Sequence, residues 1–302
     1  LSNQIEKIVI TGWNQLICYQ VLFWAKRHKK PVSLRSGSTD LENSLLRTIT
    51  KPVVKWYVQQ FSDYLAYGTA SAKYLQKLGA DQDNIFHYYN TVDIKYFHQQ
   101  KKRLTPNRKQ LRKEFGLNKK SMVLLAVGRF VPLKNFEKLV TTFHEFLKQH
   151  PLAQLIILGD GPQKKLLNNL REEYNLKDQI LLPGYVEHCD LPTYYTVADV
   201  FILPSLREIW GLVVNEALAS GLPVLVSNRA GCVEDLVNDG QNGFIFKPTT
   251  SELYDVLNKM YNIFHSYPDE FSQLREKAQK NIKPFSMSNN IKRLKKHWSL
   301  ND

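Results

Sequence analysis

The sequence predicts an α/β protein with a parallel sheet in each of two domains, and three observations carry that expectation. From residue 121 onward, short apolar runs alternate with segments of helical periodicity. The runs are continuously apolar, as strands covered on both faces require. The first hundred residues repeat the same habit less completely.

Taken in order, 122–126 is an apolar run followed by a loop over 128–135. Next comes a helix whose apolar positions Phe136, Leu139, Val140, Phe143 and Leu147 recur at helical spacing. The run 155–158 closes on Gly159-Asp160-Gly161-Pro162, and a helix follows through Tyr174. Further strands fall at 180–182, 200–203, 223–227 and 243–246, separated by helices near 190–198, 213–220 and 230–238. Earlier in the chain the reading places strands at 8–11, 31–34 and 65–67 and helices at 15–27 and 70–78. A longer helical stretch over 41–61 is interrupted or bent at Pro52. Segment 99–120 is polar and basic and reads as a hinge. The expected organisation is a partial N-terminal domain over 1–98, a linker over 99–120, a second domain over 121–285, and a C-terminal helix over 286–302.

With 43% hydrophobic and 12% aromatic residues among 302, the chain can bury two cores of ordinary size, which argues against disorder. The longest apolar stretches are too short to span a bilayer, and residues 1–10 lack the pattern of a secretory signal. Cys18, Cys189 and Cys232 have no metal-ligand spacing, so a reducing cytoplasm is the expected location. The net charge of +13 is uneven: residues 1–120 carry 21 Lys and Arg against 8 Asp and Glu, and the rest is balanced. That asymmetry fits either a solvated basic surface or an anionic partner such as a membrane surface or phosphorylated acceptor. No nucleic-acid recognition motif accompanies it, and no nucleic-acid partner is expected. No Gly-x-Gly-x-x-Gly follows a strand, and no zinc ligand set or Gly-x-Ser-x-Gly elbow is present.

Two motifs suit chemistry. In the segment from Arg207 to Val224, Glu208 precedes a glycine, Gly211, and Glu216 follows the start of a helix. A helix N-terminus offers free N–H groups and a positive dipole end to phosphate or sugar oxygens, while carboxylates accept from hydroxyls. Glu216 is also compatible with a first-turn acid that only compensates the dipole. The second motif is Gly128-Arg129-Phe130-Val131-Pro132-Leu133-Lys134-Asn135, whose two cations could clamp a diphosphate or simply sit on the surface.

The first of these motifs resembles the Glu-x7-Glu element of glycosyltransferase family 4, with its continuation through Gly221-Leu222-Pro223-Val224. The loop at Gly128 is similar to that family's phosphate-binding element. Gly159-Asp160-Gly161-Pro162, Gly184-Tyr185-Val186, Asn90-Thr91-Val92-Asp93 with Phe97, and the turn at 238–244 fall in the family's order. The resemblance implies a GT-B fold of two Rossmann-like domains and a retaining, metal-independent transfer of a hexose. The donor would be a nucleoside-diphosphate sugar, a UDP-sugar among the candidates, and no separate cofactor is implied. The acceptor would be a saccharide or lipid-linked molecule, in polysaccharide biosynthesis or at the inner face of a membrane. By the same resemblance, Glu208 binds the donor sugar and Glu216 the ribose. Backbone groups at Trp210, Gly211 and Leu212 contact sugar and diphosphate; Gly128 and Tyr185 belong to the donor site; Arg129 and Lys134 stabilise the leaving phosphate.

The sequence also departs from the family. The N-terminal domain is shorter than the family's, without its first strand and Gly-rich loop, and Thr91 replaces the usual glycine. That shortening leaves a nucleotide-sugar-binding pseudo-enzyme or fragment as the alternative function. Where many relatives place a histidine, this chain offers Arg35, Ser36 or Ser38, so Arg35 and Ser36 are the expected acceptor-side residues. Arg47, Lys51 and Lys55 recur four apart beside the stripe Leu45, Ile49, Val53, Tyr57 and Phe61, a pattern that resembles a membrane-surface helix or a packed helix with a solvated face.

Overall fold

A computed structural model describes residues 5–41 and 45–298, which form two compact units. The first comprises the described residues up to 90 with 288–298, and the second residues 91–287.

In the first unit the order is β1 (Ile8–Thr11), α1 (Leu16–Arg27), β2 (Val32–Ser36), α2 (Leu45–Val58), β3 (Asp63–Ala66), α3 (Thr69–Lys77) and β4 (Ile85–His87). The four strands pair in parallel in the order β1-β2-β3-β4. Leu22, Leu34, Tyr57, Tyr64 and Leu75 fill the core beneath them. α2 continues through Pro52, and the start of the expected 41–61 stretch, 42–44, lies outside the described residues. The stripe at i, i+4 does not stay on one face. Tyr57 and Phe61 are buried while Ile49 and Val53 are exposed, because a step of four residues overshoots the 3.6-residue turn and the row winds around the helix.

The second unit continues with α4 (Ile94–Leu104), α5 (Arg108–Glu114), β5 (Val123–Val127), α6 (Phe136–Leu147), β6 (Gln154–Leu158), α7 (Lys164–Glu173), β7 (Ile180–Gly184), α8 (Leu191–Val197), β8 (Val200–Leu203), α9 (Leu212–Ala219), β9 (Val224–Ser227), α10 (Val233–Leu236), β10 (Gly243–Phe246), α11 (Thr250–Ser266) and α12 (Pro268–Ile282). α13 (Met287–Trp298) then closes the described chain within the first unit. The six strands are all parallel, in the order β10-β9-β8-β5-β6-β7. β5 thus lies between β6 and β8, and the winding direction reverses there. In open parallel sheets, ligands bind at the carboxyl ends of the strands beside such a reversal. All five periodic positions of α6 are buried in the core of this unit.

Segment 99–120 is not a linker. It holds the end of α4 and all of α5, both within the second unit. Lys101 and Arg112 are buried. Their cationic heads, with Arg108, bond the carbonyls at the end of α8: Lys101 reaches Tyr195 and Thr196, Arg108 reaches Thr196, Val197 and Ala198, and Arg112 reaches Val197. The last carbonyls of a helix have no partner inside it, so basic side chains satisfy them well. Asp199 accepts from both arginines and from the backbone N–H of Val123, which ties α5 to β5. Three basic residues of this segment therefore cap a helix end, while Lys102, Arg103, Lys109, Lys113, Lys119 and Lys120 are exposed.

Candidate functional site

The loops that leave β5 and β8 diverge at the reversal of strand order, and backbone contacts fix each against its neighbours. The β5 loop packs on the end of β6. Phe130 N–H donates to Asp160 O at 2.8 Å, and a Cβ on Gly159, whose φ is +137°, would lie 1.9 Å from the carbonyl oxygen of Gly128. Only glycine permits that approach. Farther along, Leu206 N–H donates to Leu133 O at 2.8 Å, and the Asn135 side-chain amide donates to Pro204 O at 3.1 Å. These bonds hold the β5 loop against the β8 loop.

Glu208 is clamped in its turn. Its N–H donates to Arg229 O at 3.0 Å, its carbonyl accepts from Gly231 N–H at 2.9 Å, and Cys232 N–H donates to Trp210 O. With its backbone fixed, the Glu208 carboxylate meets the ammonium of Lys134 in an ion pair whose side chains are each less than one-fifth exposed. The Lys134 stem runs over Gly128: a Cβ there would sit 3.3 Å from Lys134 Cε. Gly211 caps α9 with φ +98°, and a Cβ at this position would come within 3.3 Å of Glu208 Cγ and 3.1 Å of Leu203. Gly128, Lys134, Glu208 and Gly211 are thereby one contiguous cluster at the reversal.

Glu216 is not a first-turn acid. It is the fifth residue of α9, nearly buried, and accepts a hydrogen bond of 2.7 Å from the hydroxyl of the fully buried Tyr195. Burial pushes its carboxyl above the usual range, while the Tyr195 hydrogen bond and the His188 ring pull the other way. Trp210 turns inward, its indole N–H bonding Asn215 at 2.9 Å, so only its backbone is available to a ligand. Leu212 opens α9 and is partly exposed.

Beside this cluster, at the ends of β5, β6 and β7, lies a cleft of about 420 Å³ whose walls include Gly128, Arg129, Tyr185 and His188. Arg129 and Tyr185 are exposed, and among the described residues Arg129 makes no ion pair. Burial and opposed charges thus converge on the carboxyl ends of a parallel sheet, where residues 107–282 match the family model "Glycosyl transferases group 1". The chain belongs to the glycosyl transferases group 1 family.

Within the glycosyl transferases, the chain is 32% identical over 177 residues to an alpha-monoglucosyldiacylglycerol synthase of Acholeplasma laidlawii, covering 58% of this chain and 43% of that protein. It is 31% identical over 205 residues to the sulfoquinovosyl transferase SQD2 of Arabidopsis thaliana, 67% of this chain and 37% of the other. These matches span less than half the length of either relative. Among solved structures, Anabaena Alr3699/HepE in complex with UDP and glucose superposes with a TM-score of 0.75 at 19% identity, covering 97% of this chain and 78% of that one. Sucrose-phosphate synthase from Thermosynechococcus elongatus gives 0.76 at 20%, with 97% and 73% covered. The fold is GT-B, with two parallel-sheet α/β units.

The remaining expected residues lie in the first unit. Arg35, near the end of β2, has its guanidinium 4.8 Å from the Tyr67 ring and 5.3 Å from that of Tyr88. Ser36 is buried; its hydroxyl oxygen accepts from Ser38 N–H at 3.2 Å and its carbonyl from the Ser71 hydroxyl at 2.7 Å. Sequence reasoning missed Tyr195 and His188. Tyr195 sits in an apolar stretch and reads as core, and nothing in its neighbourhood announces a carboxylate 21 positions downstream.

Proposed function

We propose that the chain transfers a hexose from a nucleoside-diphosphate sugar, a UDP-sugar first among the candidates, to a saccharide or lipid-linked acceptor. The observation that carries this reading is the Lys134–Glu208 pair at the reversal of strand order, beside a cleft entered by Arg129. A diphosphate brought to Lys134 and Arg129, with sugar hydroxyls brought to Glu208, replaces one ion pair by two sets of charge-assisted contacts. As the glycosidic bond breaks, negative charge grows on the departing phosphate. The two cations and the N–H groups opening α9 stabilise it there, which is the service a metal would otherwise provide. Glu216 accepts from the ribose hydroxyls, backbone groups at Gly211 and Leu212 meet sugar and diphosphate, and Tyr185 lies against the base. Retention of anomeric configuration follows from the Glu-x7-Glu resemblance, and Arg35 is the acceptor-side residue. UDP in the HepE complex agrees with the choice of nucleotide.

A peripheral membrane location on the cytoplasmic face belongs to the same reading. Ile49, Val53 and Trp56 form an exposed row on α2, and Phe23 of α1 continues it, its ring 6.2 Å from that of Trp56. Lys51 and Lys55 of α2 and Lys26 and Arg27 of α1 are exposed on the same two helices, and no acidic residue lies in α1 or α2. Exposed apolar side chains on helices that carry exposed cations and no acids suit an anionic lipid surface. Arg47 takes no part, since it donates to Thr39 O and the Ser38 hydroxyl. No described helix is long and apolar enough to cross a membrane.

The test is titration of UDP, GDP and ADP sugars by calorimetry, followed by transfer assays. Glu208→Ala, Glu216→Ala and Lys134→Ala are each expected to weaken donor binding or transfer by more than about tenfold. Unchanged values in all three reject the site, and donor binding without transfer or donor hydrolysis identifies a binding module.

A further inference from the structure

We propose that Tyr195 is a positioning residue for donor binding, holding the Glu216 carboxylate in the orientation in which its second oxygen receives the ribose hydroxyls. The inference rests on the reading of Glu216 as the ribose contact and goes beyond it by assigning the group that aims it.

Glu216 projects from the second turn of a buried helix, and one of its oxygens, Oε2, takes the Tyr195 hydroxyl at 2.7 Å. A buried carboxylate with a single fixed donor has one oxygen committed and one available. A second partner such as a vicinal diol then meets a preset acceptor rather than a rotating side chain. Tyr195 itself has little freedom. Phe97 of α4 meets its ring edge-on at 5.8 Å between centroids, and Phe201 of β8 packs against it at 6.2 Å. Its carbonyl, with that of Thr196, faces the ammonium of Lys101, and Arg108 and Arg112 hold the rest of the α8 terminus. The path runs from the basic clamp of α4 and α5, through the end of α8, to one phenolic hydroxyl and one carboxylate. His188, stacked on Tyr96 and edge-on to Phe97, is the other titratable group acting on Glu216. Lys101 of α4 and Arg275 of α12 bond backbone carbonyls, at Tyr195, Thr196 and Gly221.

Tyr195→Phe keeps the ring and removes only the donor, so the packing stays filled. The experiment measures UDP, GDP and ADP binding by calorimetry between pH 5 and 8 for the unaltered chain, Tyr195→Phe, Glu216→Gln and the double variant. The tightest of the three nucleotides serves as probe. The expected result is a roughly tenfold loss of affinity in Tyr195→Phe, as befits a hydrogen bond to a charged group. The acid limb of binding should move to higher pH, because the lost donor had favoured the ionised carboxylate. In the Glu216→Gln background the Tyr195 change should add nothing. A merely structural tyrosine would lower the melting temperature and leave the acid limb in place. If Glu216→Gln weakens binding while Tyr195→Phe leaves affinity and limb unchanged, the positioning role is overturned and the reading of Glu216 stands. If Glu216→Gln changes nothing, or no nucleotide binds the unaltered chain, the reading of Glu216 falls and takes this role with it.

Discussion

Lys134 and Glu208, on the loops that leave β5 and β8, form an ion pair across the point where the strand order of the six-stranded sheet reverses. The pair is partly shielded, so each charge depends on the other, and removing one strands its partner. Lys134→Ala and Glu208→Gln are each expected to lower kcat/KM by more than about tenfold, with the double variant well short of the product of the two. A double-mutant cycle on transfer rate checks it, and full additivity would count against a shared site.

Gly211 begins α9 in the left-handed region with Glu208 and Leu203 close above it. Gly211→Ala is expected to cost about 1–3 kcal/mol of stability, because the new methyl adds both strain at positive φ and contact with Glu208. Urea unfolding measures the first effect and donor titration the second. Loss of donor affinity should accompany the loss of stability.

Lys101 is buried among Arg108, Arg112, Arg275 and Asp199, and burial, with the neighbouring arginines, lowers its pKa to about 7. Folding therefore releases its proton between about pH 7 and the unfolded value. The unfolded chain binds more protons across that window, so stability gained from this site rises with pH there. Lys101→Met should be more stabilising relative to the unaltered chain at pH 6 than at pH 9. Thermal melts of both at the two pH values decide the sign, and a constant difference would show that the amine is not titrating.

Ile49, Val53 and Trp56 are exposed in a row on α2, a helix whose charged residues are all basic. Flotation with phosphatidylglycerol vesicles should recover the chain, phosphatidylcholine vesicles should recover much less, and added salt should weaken binding. Ile49→Glu with Val53→Glu should abolish flotation and leave donor affinity unchanged, since these side chains belong to the first unit. Equal recovery by both lipids would remove the electrostatic part of the argument.

Much of the second unit was legible in the residues. Continuous apolar runs such as β5 and β8 have one stable environment, the middle of a covered parallel sheet, and the five apolar positions of α6 can only face it. Gly211, at φ +98°, and Gly159, whose added Cβ would meet the Gly128 carbonyl, stand where other residues are strained or blocked. The first unit was less legible, since an i, i+4 row on α2 looks like one face and in fact winds from the core to the surface.

Sequence alone determined which local structures form, and so where loops leave the strands and which charges those loops carry. Tertiary structure alone decided partners. That Arg108 and Arg112 seal a helix end, that Arg47 turns to Thr39 and Ser38, and that Tyr195 serves Glu216 are outcomes of strand order and packing. The reason is physical: periodicity and backbone propensity act over a few residues, whereas a charge or hydroxyl takes whichever partner the fold brings within about 3 Å. For a hydrogen bond across 21 positions, that distance is fixed only when the helices pack.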